Sequence, residues 1–391
     1  MSVTETTTTS LGSRLGSSLV GVLIGIVLFI AAFPFIFWNE ARSIKREKIL
    51  NEAQPLCVTI NPVAPEGDLE GKLVHFAGLV KTGETLSDPL FGQTVSNSLK
   101  FVRNVYMYQW VENEKSETKK KTGGSTETKK TYTYTKEWVD HPLDSSGYKK
   151  EGYDNPVEWP IQKEEWQVGS ATLGIFSLSE DQITAAGTEK PYKPFVTNNM
   201  PLPSGLDPSY SRFSEGFYLA SGEGANLGSP KIGDIKVTFE VKPVCEVSFA
   251  GAKVGDRIKS FQTKFGELKP LQCNGDLSKE QIFDRARRSN AILTWLLRFA
   301  GLLMFFFGLK LLAGPLEVLA DILPFIGNIF EKITGIVAFL IALVLTLVTV
   351  AVAWVVVRPI LGISLIVIAV LIILLIIKAK GAKKKALAKT E

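Results

Sequence analysis

The sequence predicts a multipass α-helical membrane protein of four spans into which one large β-rich α+β extramembrane domain is inserted. Three observations lead there. The 391-residue chain is 46% hydrophobic with a positive mean hydropathy, a balance that favours a membrane protein. Its longest apolar runs lie at the two ends of the chain. The long middle instead alternates apolar with polar residues and is punctuated by Gly and Pro, the pattern of strands and turns.

Residues 1–17 form a short N-terminal tail expected in the cytoplasm, with Arg14 the one basic residue ahead of the first apolar run. That run, "SLVGVLIGIVLFIAAFPFIFW" over 18–38, carries no charge and is long enough for a hydrocarbon core of roughly 30 Å at about 1.5 Å per residue. It exceeds the apolar stretch of a cleaved signal peptide and ends in Phe-Trp at a membrane interface, so it reads as an uncleaved signal anchor.

Residues 39–276 make the extramembrane domain. In "DIKVTFEV", Ile235, Val237, Phe239 and Val241 alternate with Asp234, Lys236, Thr238 and Glu240, giving one buried and one wet face. "KLVHFAGLV" and "CEVSFA" read as further strands, and "NPVAPEGD" and "MPLPSGLDPS" as turns. The stretch "MYQWVENEKSETKKKTGGSTETKKTYTYTKEW" holds seven lysines between aromatic flanks. It reads as a hairpin turning at Gly123-Gly124. Tyr106, Tyr108 and Trp110 share one side of its first strand, read first as core and second as a partner face, and the lysines are expected in water around the tip. Interleaved Ser, Thr and Glu dilute that charge, and no nucleic-acid partner is expected.

Cys57, Cys245 and Cys273 are an odd set; Cys245 with Cys273 is the candidate disulfide in an oxidising lumen, and three free thiols are the competing reading. A juxtamembrane helix over 277–290 is expected to open on a capping box of Ser278 and Gln281.

Three more runs follow: 291–314, 335–357 and 360–377. Between the first two, 315–334 reads as an amphipathic segment on the cytoplasmic face, broken by Pro324 and Gly327. Arg358-Pro359 makes a tight turn before the last span. The tail, 378–391, holds six lysines and is placed in the cytoplasm by the positive-inside rule. Four spans then send 39–290 to an endoplasmic-reticulum-type lumen or a periplasm. Arg42, Lys45, Arg46 and Lys48 sit on the wrong side for that rule, which counts short loops more than long domains. Arg298 lies about two turns inside the second span and Lys310 near its other end. Both are expected to snorkel, with Arg298, like Arg358, also a candidate assembly contact.

Catalysis has little to build on. His75 and His141 are the only histidines, there is no CxxC pair, and no GxSxG, HExxH, P-loop or GxGxxG sequence occurs. No catalytic residue, cofactor or metal is expected. Glu164 and Glu165 beside Trp166 read as a surface pair.

"FWNEARSIK", "GKLVHFAG", "LSDPLFG", "YMYQWVE", "GDIKVTFEV", "RRSNAILTWLLRFAGLLMFFFGL" and "WVVVRPI" stand in the order of one family. The chain resembles the transmembrane protein 43 family, also called LUMA. The resemblance implies a non-enzymatic multipass scaffold of the endoplasmic reticulum and inner nuclear membrane. It also implies self-association through the spans into a homo-oligomer, with lamin- or emerin-like nuclear-envelope partners besides the lipid bilayer. A channel or transporter component, or a bacterial inner-membrane scaffold with a periplasmic domain, is the alternative. The third and fourth apolar runs carry no charge, which favours the scaffold over a pore.

Overall fold

The alternation read in "DIKVTFEV" becomes the strand Ile235–Pro243, with Ile235, Val237 and Phe239 buried and the residues between them half-buried. A computed structural model describes residues 2–193, 210–213, 215–221 and 226–357. It divides into a β-rich unit of Met1–Thr7, Ile49–Glu117 and Thr128–Ala286 and a helical unit of Thr8–Lys48, Thr118–Glu127 and Arg287–Glu391.

Two sheets organise the β-rich unit. In the larger, the order is Ser2–Thr9, Thr126–Val139, Ser98–Lys120, Ile235–Pro243, Gly216–Leu219, Tyr210–Phe213, with Glu164–Gln167 paired to Ser98–Lys120 and Lys190–Tyr192 to Ile235–Pro243. The smaller runs Arg257–Lys259, Glu246–Val254, Leu73–Leu79, Val58–Thr59, with Leu271–Asn274 also on Glu246–Val254. Period-two alternation sends the two faces of the smaller sheet to different cores. Val74, Phe76, Val247 and Phe249 join the main cluster with Phe101, Val105, Met107, Phe176 and Phe239. Leu73, Ala250 and Leu271 join a second cluster with Ile49, Leu50, Ile282 and Phe283. The expected hairpin forms, its strands ending at Lys120 and resuming at Thr126, with Gly123 (φ 90°) and Gly124 (φ 78°) in the left-handed region that glycine adopts at little cost.

Four helices are found among the described residues: α1 (Leu11–Leu56), α2 (Glu180–Ala185), α3 (Lys279–Ala320) and α4 (Pro324–Val357). The box expected at the start of α3 is formed. Gln281 N–H donates to Ser278 Oγ at 3.3 Å, and Ser278 N–H donates to Gln281 Oε1 at 2.9 Å. Three of these helices, α1, α3 and α4, are long and apolar enough to cross a membrane. The expected fourth span, 360–377, and the tail 378–391 lie outside the described residues. The segment 315–334 is not a separate amphipathic piece. Instead α3 runs on through Pro315 to Ala320, and α4 opens at Pro324. Pro324 starts a helix because its missing N–H falls where no intrahelical partner exists, and Gly327 N–H bonds Leu323 O at 2.9 Å, so the helix is not broken there.

Inside the helical unit, α1 and α3 run antiparallel and meet through glycines. A Cβ placed on Gly25 would stand 2.9 Å from Gly308 O, and one on Gly308 3.1 Å from both Gly25 O and Phe29 N. Such small-residue contacts let helix backbones approach where lipid supplies no hydrophobic drive. Gly308→Leu is therefore expected to destabilise the full chain by about 1–3 kcal/mol, the range of overpacked cores. Gly335→Leu, where nothing lies within 4 Å, serves as the neutral control. Melting curves in detergent that coincide for the two variants would refute the packing argument.

Candidate functional site

The first apolar run ends at Trp38, and the next turn of α1 turns polar with Asn39, Glu40, Arg42 and Ser43. Antiparallel packing sets that turn against Asn290, Thr294 and Arg298 of α3. Arg298 donates Nε to Glu40 Oε1 at 2.6 Å and Nη2 to Oε2 at 2.8 Å, a two-pronged pair. Trp354 of α4 donates Nε1 to the same Oε2 at 2.8 Å, so one carboxylate ties three helices. Glu40 is 2% exposed. The guanidinium carbon lies 4.7 Å from the Trp295 ring centre and 5.7 Å from that of Trp354, adding cation–π attraction from both.

A ladder of hydrogen bonds extends from this clasp toward the chain's middle. Asn39 Nδ2 donates to Thr294 O at 3.0 Å, Arg42 Nη1 to Asn290 Oδ1 at 3.1 Å, and Asn290 Nδ2 to Ser43 O at 3.0 Å. Side-chain donors and carbonyls of this kind hold helices together at membrane depth. Snorkelling, expected of Arg298, gives way to pairing, because a buried carboxylate one helix away supplies a counter-charge and takes two of the guanidinium's donors. Glu40 and Trp354 were not singled out by sequence reasoning. The available signal was an acid directly behind an interfacial tryptophan in "FWNEARSIK", matched by an unpaired arginine in a later span.

A second cluster closes the other end of the helical unit. Asp321, 2% exposed at the turn after α3, lies 2.5 Å from Arg14 Nη2. Lys120 Nζ stands 2.7 Å from Oδ1 as an ion pair rather than a directed hydrogen bond, and 2.6 Å from Glu331 Oε2. Arg14 Nη1 donates to Gly124 O at 2.6 Å, and Gly123 N–H to Ile322 O at 3.0 Å. Lys310 also pairs rather than snorkels, at 2.5 Å from Glu317. The lysine-rich tip is thus only partly as expected. Lys115, Lys119, Lys121 and Lys129 are exposed, whereas Lys120 neutralises a buried acid. This contact requires the tip and the α3–α4 turn to share one membrane face, while charge bias in the sequence assigned them to opposite faces.

Tyr106, Tyr108 and Trp110 do not fill the core. They are half-buried, and the core face of the same strand carries Val105, Met107 and Gln109. They form an aromatic surface laced with lysine. Tyr108 lies 5.2 Å from Trp138 and Trp110 4.6 Å from Tyr153, Lys136 sits 4.7 Å over Trp110, and Lys236 covers Tyr106 at 5.0 Å. Arg358 lies outside the described residues.

The candidate disulfide is absent: Cys57, Cys245 and Cys273 are free. Cys245 packs on the main cluster and Cys273 on the second, so the sheet separates them. Burial pushes the Cys57 thiol up to about 12. His75 lies near Leu277 O (3.0 Å from Nε2) and Thr59 Oγ1 (3.3 Å from Nδ1), and burial lowers its pKa, which favours a neutral ring. Glu164 is not merely a surface pair with Glu165. It receives Arg103 Nη2 at 2.8 Å, while Lys100 holds Glu165 at 2.8 Å. Among the described residues no three His, Cys, Asp or Glu side chains converge as a metal site would require.

The family model described as Transmembrane protein 43 matches residues 107–359. Transmembrane protein 43 of Homo sapiens is 31% identical over 370 residues, covering 91% of this chain and 89% of the human protein. That of Rattus norvegicus is 31% identical over 346 residues, 85% of this chain and 83% of its own length. The Transmembrane protein 43 homolog of Drosophila melanogaster is 29% identical over 350 residues, 86% of this chain and 89% of its own. No solved structure matches the chain.

Proposed function

The chain belongs to the transmembrane protein 43 family, and from that premise we propose that it is a non-enzymatic membrane scaffold that self-associates through its helices and presents the β-rich domain to protein partners. Its setting in this reading is the endoplasmic reticulum and inner nuclear membrane, with lamin- or emerin-like proteins as the partner class. The observation that carries the reading is the closure of Arg298 onto Glu40 and Trp354. A pore or transporter would turn such a charge toward a water-filled path, whereas here it joins three helices of one protomer. The aromatic and lysine surface around Trp110 supports partner binding, since Tyr and Trp are favoured anchors at protein interfaces.

Proximity labelling from the C-terminal tail in intact cells tests this, beside crosslinking in native membranes and protease protection of a tag at Gly124. Nuclear-envelope proteins labelled by the wild type, crosslinked dimers or higher species, and several-fold weaker labelling by Trp110→Ser are the expected results. Monomers alone, with a labelled set equal to that of an unrelated membrane anchor, would end the scaffold reading. The Gly124 tag decides the side: if it is protected while the α3–α4 turn is digested, the Lys120–Asp321 contact does not form in the membrane.

A further inference from the structure

Beside the Glu40–Arg298 clasp lies a cavity of about 310 Å³ whose contents neither the clasp nor the scaffold reading requires. Ser43 and Glu47 of α1 line one side. Arg287, Asn290, Thr294, Trp295 and Arg298 line the other as a single stripe of α3, spaced as neighbours on one helix face. The stripe begins one turn before the apolar run that opens at Ala291 and ends about two turns inside it. It therefore crosses the boundary between water and hydrocarbon. Trp295, 67% exposed, and Trp38, 56% exposed, occupy the depth at which tryptophans mark the headgroup region.

Charge at this level is one-sided. Residues 39–48 and 284–298 together carry eight basic and three acidic side chains, including the Arg42, Lys45, Arg46 and Lys48 that violate the positive-inside expectation. Glu40 engages Nε and Nη2 of Arg298, so Nη1 of the fork lies outside that two-pronged pair. Arginine forks are suited to phosphate oxygens, and hydroxyls and amides around them supply further bonds.

We propose that this cavity holds the headgroup of one anionic phospholipid, its phosphate between Arg287 and Arg298, its glycerol and ester region against Trp295, and a headgroup hydroxyl donating to Glu47. The bound lipid belongs to the leaflet that faces the β-rich end of α1 and α3. Arg287 and Arg298 then act as ligands for lipid rather than as determinants of topology.

The test uses the full chain purified in neutral detergent and native mass spectrometry, with phosphatidylglycerol or phosphatidylcholine added at equal concentration. The wild type is expected to retain one phosphatidylglycerol at several-fold lower lipid concentration than phosphatidylcholine. Arg287→Gln is expected to weaken that retention by about fivefold, the share of one basic residue near an anionic surface, while Arg257→Gln, in the β-rich unit, leaves it unchanged. Equal retention of the two lipids by the wild type, which needs no variant to fold, overturns the proposal. So does an unchanged affinity in Arg287→Gln. Inorganic phosphate is the third arm. If it displaces phosphatidylglycerol at matched concentration, the ligand is a soluble anion and the lipid assignment fails.

Discussion

Glu40→Ala is expected to lower the melting temperature of the full chain in detergent by roughly 10 °C, from a loss of about 3–5 kcal/mol at about 2–4 °C per kcal/mol. Removing the carboxylate strips Arg298 of both its hydrogen bonds and Trp354 of its acceptor at once. A guanidinium 16% exposed is then left without its counter-charge among apolar helices. Replacing one partner of a buried pair is far more damaging than replacing both. The double variant Glu40→Leu with Arg298→Met should therefore recover most of the loss, and Glu40→Gln, which keeps an acceptor without the charge, should fall between. Tryptophan fluorescence reads the same event locally, since Trp295 and Trp354 flank the guanidinium. A shift below about 2 °C in Glu40→Ala, at the scale of a surface substitution, would show that the clasp does not hold the helices.

Arg103→Met is expected to have a comparable effect in the β-rich unit, again about 3–5 kcal/mol. Arg103, 4% exposed, donates Nη1 to Asp88 at 2.8 Å, Nη2 to Glu164 at 2.8 Å and Nε to Gln162 O at 3.1 Å. It also lies 5.4 Å over Trp166 and 5.8 Å over Phe91. Methionine fills similar space but strands Asp88, which is 0% exposed. Asp88 Oδ1 would keep only the N–H groups of Leu90 and Phe91, while Oδ2 already lacks a partner among the described residues. Adding Asp88→Asn to Arg103→Met should restore part of the stability, because an amide oxygen keeps both turn bonds without a charge. Far-ultraviolet circular dichroism on heating separates this sheet transition from helix loss. An unshifted sheet transition in Arg103→Met would mean that packing, not charge pairing, holds this part of the unit.

What was legible in the sequence was whatever depends on neighbours in the chain. The capping box of Ser278 and Gln281, the alternation over 235–239 and the glycine turn at 123–124 are each set within a few residues and form as read, whereas Asp234, expected on the wet face, is buried against Tyr218 and Ser221, and Val241 is only half-buried. The side on which Tyr106, Tyr108 and Trp110 fall was legible, but not which side is core. The same strand carries Phe101, Val105 and Met107 on its other face, and only the second sheet selects those for burial. Cys245 and Cys273 are a plausible pair on spacing alone. A pleated strand sends their packing to opposite clusters, and that choice of face belongs to the assembled sheet.

The sequence by itself determined that this chain enters a membrane, the three apolar runs that become helices long enough to cross it, and that strands dominate the middle, because hydropathy and periodicity are local properties. Only the tertiary structure decided what the charges in and beside the spans are for. Glu40 and Arg298 are far apart in the chain, as are Arg14 and Asp321, and antiparallel helices held close by Gly25 and Gly308 bring each pair within hydrogen-bond reach. A charge that looks like an isolated snorkelling group along the chain becomes a joint between helices, because the free energy of a buried ion depends on the counter-ion beside it in space.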